Sequence, residues 1–149
     1  MIELYERLRG DPADAESRAQ AQRLAESIRS AFSVVLVDEF QDTDPIQYAV
    51  IRRLFLRKRE PHPVWFVGDP KQAIYRFRGA DLETYLRARR DVEALYQTAG
   101  SGRFRGVYAL TTNYRSSPDL VRAFNAFWRT APNPFLREDL AYLEVKSSP

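Results

Sequence analysis

Residues 34–47, VVLVDEFQDTDPIQ, constrain this chain more than any other stretch. Four apolar residues, Val34–Val37, run straight into Asp38 and Glu39, and Asp42 and Asp44 follow closely. A continuous β-branched and apolar run suits a strand buried on both faces of a parallel sheet. Carboxylates gathered at the end of such a strand repel one another and lose solvation unless something positive neutralises them. The stretch therefore predicts a buried strand that delivers acids to a cationic partner.

The flanking sequence supplies the rest of an α/β pattern. Residues 1–9 predict a short helix with Ile2, Tyr5 and Leu8 on one side, broken by Gly10-Asp11-Pro12. From about Ala13 to Phe32 the residues are mostly Ala, Glu, Gln and Arg, strong helix formers, with a narrow apolar stripe of Leu24, Ile28 and Phe32. Asp44-Pro45-Ile46-Gln47 reads as a helix start: Asp44 caps, Pro45 fits the first helical position and Gln47 completes a capping box. Ile46, Val50 and Leu54 follow at helical spacing, and Arg57-Lys58-Arg59 suits the helix's negative end. Val64–Val67 is a second apolar run ending in the turn Gly68-Asp69-Pro70. A helix is expected from Leu82 to Tyr96, a basic loop at 99–106, a third strand at Val107–Thr111, and a helix from Ser117-Pro118 with Leu120, Phe124 and Phe127 as its core face. Strands alternating with helices indicate a mainly parallel sheet, whose functional groups collect beyond the carboxyl ends of the strands.

Composition narrows the chemistry. The 149 residues suffice for one domain with a core. There is no cysteine, which removes disulfides, thiolate metal sites and cysteine nucleophiles and fits a reducing compartment. The lone histidine, His62, stands between two prolines, which argues against a histidine-rich metal site or a Ser-His-Asp triad. No apolar stretch approaches a membrane span, and the N-terminus lacks an apolar signal core. Net charge is only +3, but 20 of the 23 basic residues are Arg, whose guanidinium forks bind phosphate bidentately. A genome rich in Arg codons gives the same bias.

Three clusters lie where strands should end. At Asp38-Glu39, one carboxylate can hold Mg²⁺ through water while the other orients and deprotonates a water attacking a phosphoryl group. The plainer alternative is a capping acid beside a surface acid. In FVGDPKQAIYRFRGAD, residues 66–81, Gln72 can sense a terminal phosphate, and Tyr75 and Phe77 alternate with Arg76 and Arg78. Rings that stack on bases, worth about 1–3 kcal/mol each, interleaved with phosphate-binding Arg suit single-stranded nucleic acid. Half-buried core rings explain the same spacing. In LTTNYRSSPDL, residues 110–120, Arg115 precedes a helix start and can aim at phosphate oxygens, and Tyr114 offers a flat face for a nucleobase. A capped helix with a surface Arg accounts for that cluster equally well.

Taken together and in this order, LVDEFQDTDPIQ, VGDPKQAIYRFRGADLETYLRAR and LTTNYRSSPDLV resemble motifs II, III and IV of the UvrD/Rep-type superfamily 1 DNA helicases, most closely the RecB-like branch found in exodeoxyribonuclease V. The resemblance runs from about Ala31 to Phe127. It implies a partial RecA-like P-loop NTPase domain, ATP and Mg²⁺ as cofactors, single- and double-stranded DNA as partners together with the other subunits of a RecBCD-like complex, no membrane, and a bacterial cytoplasmic setting. It also implies roles. Asp38 would be the Mg²⁺-associated carboxylate, acting through water, and Glu39 the residue that activates water. Gln41 would lie in the nucleotide site, and Gln72 would read the γ-phosphate and couple it to DNA. Tyr75, Phe77 and Arg78 would face single-stranded DNA. Tyr114 would stack near the adenine, and Arg115 would stabilise charge on the γ-phosphate. Many relatives of this kind carry Trp where this chain has Phe77; the ring still stacks.

The sequence departs from the full family pattern in one respect. No GxxxxGK[ST] occurs, so the phosphate-cradling loop and its Lys are missing. The expected layout is a helical lead-in over 1–33, a partial ATPase core over 34–130 and an irregular tail over 131–149. In a RecA-like sheet the missing P-loop strand would lie between the strands at 64–67 and 107–111, leaving a gap or forcing rearrangement. The expectation is a piece of an ATP-dependent helicase or translocase that is inactive alone. The alternatives are a degenerate nucleic-acid-binding module and a piece of an AddA-like helicase-nuclease.

Overall fold

The computed structural model describes residues 1–56, 62–74, 79–98, 106–132, 134, 135 and 137–148. Tyr75, Phe77 and Arg78, the expected DNA-facing residues, lie outside them, as does the basic cluster at 57–59. The chain divides into two compact units, Met1–Gly106 and Val107–Pro149. Its elements are helices and short strands, and the strands form two separate two-stranded parallel sheets.

The first unit begins with α1 (Ile2–Arg9) and α2 (Ala15–Ser30). Asp14 starts α2 by accepting hydrogen bonds from the Glu16 and Ser17 amides, which satisfies donors that no helical carbonyl reaches. Strand β1 (Val35–Val37) and strand β2 (Val64–Phe66) pair in parallel, with Val35 opposite Val64, Leu36 opposite Trp65 and Val37 opposite Phe66. Helix α3 (Pro45–Phe55) connects them, and α4 (Leu82–Thr98) follows. The capping box expected at Asp44 forms in full: Asp44 accepts from the Ile46 and Gln47 amides, and the Gln47 side chain accepts from the Asp44 amide.

One core cluster joins Leu8, Ala25, Val50, Leu54 and Phe55, with Leu4, Tyr5, Leu24, Ile28, Val35 and Val64 packed against it. A second joins Phe40, Tyr48 and Ala88 with Val37, Phe66 and Tyr85. Both use the same face of the β1–β2 sheet. The opposite face, Leu36 and Trp65, is 67% and 58% exposed. This corrects the expectation of a strand buried on both sides: among the described residues only one face of the sheet is covered, and alternation sends every second side chain to the bare face. Phe32, expected in the stripe of α2, falls beyond the helix end and is exposed; Ala21 and Ala25 fill the buried positions instead.

The second unit holds β3 (Thr112–Asn113), α5 (Pro118–Arg129) and β4 (Lys146–Ser147), with β3 and β4 parallel. The strand expected at Val107–Thr111 instead lies at 112–113, because residues 146–148 are its partner: the Lys146 amide donates to the Thr111 carbonyl at 2.7 Å and the Ser148 amide to the Asn113 carbonyl at 2.9 Å. Helix α5 also turns a different face inward. Leu120, Phe124 and Phe127 are exposed, whereas Val121, Asn125 and Trp128 face the unit's own core. Asn125 explains the rotation: its amide donates to the Val145 carbonyl at 2.9 Å and its Oδ1 accepts from the Tyr142 hydroxyl at 2.6 Å, while Trp128 packs on Phe135 and Tyr142. Two directional bonds decide which side of an otherwise amphipathic helix is buried. Arg129 and Glu144 form an ion pair beside it, and the guanidinium holds the Glu144 carboxyl below its usual range. Among the described residues no helix is long and apolar enough to cross a membrane.

Candidate functional site

Within the first unit, the carboxyl ends of β1 and β2 meet, and the parallel register makes them meet side by side. Beyond β1, Asp38 is exposed and its Oδ1 accepts a 2.9 Å hydrogen bond from the Glu39 amide. Glu39 adopts a left-handed backbone, φ 48° and ψ 43°, alone among the described non-glycine residues in its positive φ. That conformation costs about 1–2 kcal/mol for a residue with a Cβ. Packing of the next residue compensates. Phe40 is 2% exposed, its ring lies 4.3 Å from that of Phe66, and its amide donates to the Val67 carbonyl at 2.9 Å. Burying a ring of this size stabilises by about 1.5–3 kcal/mol, enough to hold the strained turn. The turn ends strand alternation and sets Asp38 and Glu39 in different backbone environments.

Gln41 is 3% exposed and ties the two strand ends together. Its Nε2 donates to Glu39 Oε2 at 2.7 Å, and its Oε1 accepts from the Asp69 amide, beyond β2, at 3.1 Å. Gly68 makes this possible. A Cβ there would stand 2.5 Å from Gln41 Oε1 and 2.9 Å from the Phe40 amide nitrogen. After Gly68, Asp69 organises the next turn: its carboxylate accepts from the Lys71 amide at 3.0 Å and pairs with the Lys71 ammonium at 2.8 Å. Gln72 is exposed, with its Nε2 3.4 Å from Asp69 Oδ2. Tyr85 of α4 donates to the Gly68 carbonyl at 3.3 Å, and burial, with Asp69 adding to it, pushes its phenol above the ordinary range.

Asp38, Glu39, Gln41 and Gln72 thus gather at one end of one sheet. Among the described residues no cation lies in ion-pair range of Asp38 or Glu39, and no three His, Cys, Asp or Glu side chains cluster as a complete metal cage. An exposed, cation-free carboxylate suits Mg²⁺, which keeps most of its water and takes one or two protein carboxylates plus phosphate oxygens. The donor set therefore fits a Mg²⁺–phosphate ligand. Asp42 keeps one buried carboxylate oxygen, Oδ1, without a hydrogen-bond partner among the described residues.

Tyr114 and Arg115 belong to the second unit. Asn113 Oδ1 accepts from the amides of Arg115 and Ser116, both at 2.9 Å, and Ser117 caps α5 by accepting from the Leu120 amide. This local turn leaves Arg115 exposed and Tyr114 80% exposed. The sequence reading missed three things: the left-handed Glu39, the close approach at Gly68 and the Asp69–Lys71 pair. Only the last left a visible trace, the D-P-K spacing of a charged turn.

The pattern of the UvrD/REP helicase N-terminal domain matches residues 5–93. Among curated proteins, the chain is 41% identical over 125 residues to the RecBCD enzyme subunit RecB of Escherichia coli (strain K12), covering 84% of this chain and 10% of that protein. It is 38% identical over 135 residues to RecB of Haemophilus influenzae, covering 90% of this chain and 10% of the relative. With RecB of Chlamydia muridarum it shares 39% identity over 118 residues. The chain spans about a tenth of the length of these relatives. The match at 5–93 contains the ends of β1 and β2 but not Tyr114 or Arg115. With more than half of its residues inside that pattern, the chain belongs to the UvrD/REP helicase N-terminal domain family, and within it is similar to RecB.

Proposed function

We propose that this chain is the motif II–IV part of a RecA-like ATPase core in a RecB-like DNA helicase or translocase, coupling ATP hydrolysis to movement on single-stranded DNA during recombination and double-strand-break repair. Residues 34–130 are its core part, 1–33 a helical lead-in and 131–149 a tail toward a second domain. The observation that carries the reading is the placement of Glu39 and Gln72 beyond adjacent strand ends, with the buried Gln41 joining Glu39 to the Asp69 amide at the start of the Gln72 turn, inside the family match.

Bound Mg²⁺ would neutralise charge on the transferring phosphate. Asp38 would hold the ion through water, and Glu39 would orient the attacking water and take its proton. Gln72 would read the γ-phosphate. Gln41 would serve the same nucleotide site, with Tyr114 stacking on adenine and Arg115 meeting γ-phosphate charge. Tyr75, Phe77 and Arg78, outside the described residues, would contact DNA by stacking and phosphate pairing. Without a GxxxxGK[ST] of its own, the chain alone should hydrolyse no ATP.

The test is a graft of this chain over the matching stretch of Escherichia coli RecB. The chimera should retain DNA-stimulated ATPase activity, and Glu39→Gln in the graft should cut the rate about 10²- to 10⁴-fold while leaving DNA binding intact. A Glu39→Gln chimera that keeps its rate overturns the assignment. Robust Mg²⁺-dependent hydrolysis by the purified 149-residue chain would overturn its expected inactivity.

A further inference from the structure

Resemblance places Gln41 in the nucleotide site, yet the side chain is 3% exposed and both of its polar atoms are engaged within the protein. Such a group is poorly placed to meet a ligand. It is well placed to join two elements that do. We infer that Gln41 is a positioning residue: its amide fixes the carboxylate of Glu39 and ties it to the Gly68–Gln72 turn, so that a displacement of that turn moves the Glu39 carboxylate. The inference rests on the proposed roles of Glu39 and Gln72 for its meaning in catalysis, and on geometry alone for the linkage.

Three features support it. First, the two bonds run in series, Glu39 Oε2 to Gln41 Nε2 at 2.7 Å and Gln41 Oε1 to the Asp69 amide at 3.1 Å. A primary amide offers a donor and an acceptor on rigidly joined atoms. Second, Glu39 and Gln41 flank Phe40, whose burial anchors the backbone between them, so the side-chain amide has little room to swing. Third, Gly68 has no Cβ where one would strike Gln41 Oε1. The turn leaves room for the amide together with the Phe40 and Gln41 backbone. Backbone bonding also crosses the same gap, from the Phe40 amide to the Val67 carbonyl and from the Val67 amide to the Val37 carbonyl, and it involves no side chain of Gln41. It therefore serves as an internal control.

The test follows backbone and side-chain amides of the ¹⁵N-labelled 149-residue chain by NMR. In the otherwise unaltered chain, Glu39→Gln should shift both the Gln41 side-chain amide and the Asp69 backbone amide. In a Gln41→Met background, which keeps length but loses both bonds, the same Glu39→Gln change should lose most of its effect at Asp69. Gln41→Glu should keep the Asp69 amide near its original position, since the acceptor survives, yet still uncouple it from Glu39. A purely space-filling role predicts that Met preserves the response. An Asp69 shift as large in the Gln41→Met background as without it overturns the inference. If the Gln41 variants do not fold, exchange in the unaltered chain decides: Gln41 side-chain protons that exchange with water far more slowly than those of exposed glutamines support the inference, and exchange at the rate of an exposed glutamine overturns it. None of these readouts needs hydrolysis, so the linkage can fail while Glu39 remains catalytic, and the reverse.

Discussion

Two passages of this chain have the same plan. At 35–47 and again at 112–120, a short parallel strand enters a polar turn and a capped helix that begins with proline. They are held in different ways. The first is fixed by distant parts of the chain: Phe40 under Phe66, the Phe40 amide on Val67, and Gln41 on Asp69. In the second, the strand pairs with residues 146–148, but the turn itself is fixed locally, by Asn113 on the Arg115 and Ser116 amides and Ser117 on α5. The difference teaches where rigidity originates. Tertiary packing can hold Glu39 in a backbone conformation that it would not choose alone, whereas a local Asn turn leaves Tyr114 and Arg115 presented but unbraced.

Substitutions can break or sharpen that contrast, best followed through resonances of each unit separately because two units need not unfold as one. The largest effect should come from Phe40→Ala, which removes the ring under the first turn and should destabilise its unit by about 3–5 kcal/mol in urea titrations. Exposed Phe124→Ala should stay within about 0.5 kcal/mol for its own. A near-neutral Phe40→Ala would show that packing does not hold the turn. Next comes Gly68→Ala, expected to cost about 1–3 kcal/mol by overpacking. Adding Gln41→Ala should not restore it, because the Phe40 and Gln41 backbone nitrogens, at 2.9 and 3.1 Å, stay in the way. Full recovery in the double variant would place the conflict in the side chain alone.

Cap removal should weigh equally on both passages. Asp44→Ala and Ser117→Ala each delete a helix cap and should each cost about 1 kcal/mol, measured by denaturation. The smallest effect concerns pH. Tyr48 is buried and donates to Asp91 at 2.6 Å, where Arg52 also bonds; burial first, and Asp91 second, push its phenol well above the ordinary range. The fold thus favours the neutral phenol. Its contribution is full below about pH 10, where the unfolded phenol is also neutral, and is lost as pH rises above that value. Thermal midpoints should fall across that alkaline range less steeply in Tyr48→Phe, with Tyr85 and Tyr142, both also raised, contributing to the remaining slope. An unchanged slope would remove Tyr48 from the account.

Much of the local fold around the candidate site is readable in the sequence. The apolar run at 34–37, the Asp44 capping box and the Ser117-Pro118 start are local signals, and the structure bears them out within a residue or two. The expected face of α5 and the strand at 107–111 were not readable, because each depended on a partner far along the chain: Val145 and Tyr142 for the helix, Lys146–Ser148 for the strand. Burial of both faces of β1 was overstated for a related reason. An apolar run records that a strand can be covered, not which elements cover it.

By itself the sequence determined the order of strands and helices, the helix starts and the residue types gathered at strand ends, since these follow from side chains acting on their own or adjacent backbone. Only the tertiary structure decided that Glu39 would be left-handed, that Gln41 would be buried between two strand ends, and that Gly68 would admit it. Those outcomes depend on parallel pairing of β1 with β2 and on the close packing of Phe40 against Phe66, contacts between residues more than two dozen positions apart that no local pattern specifies.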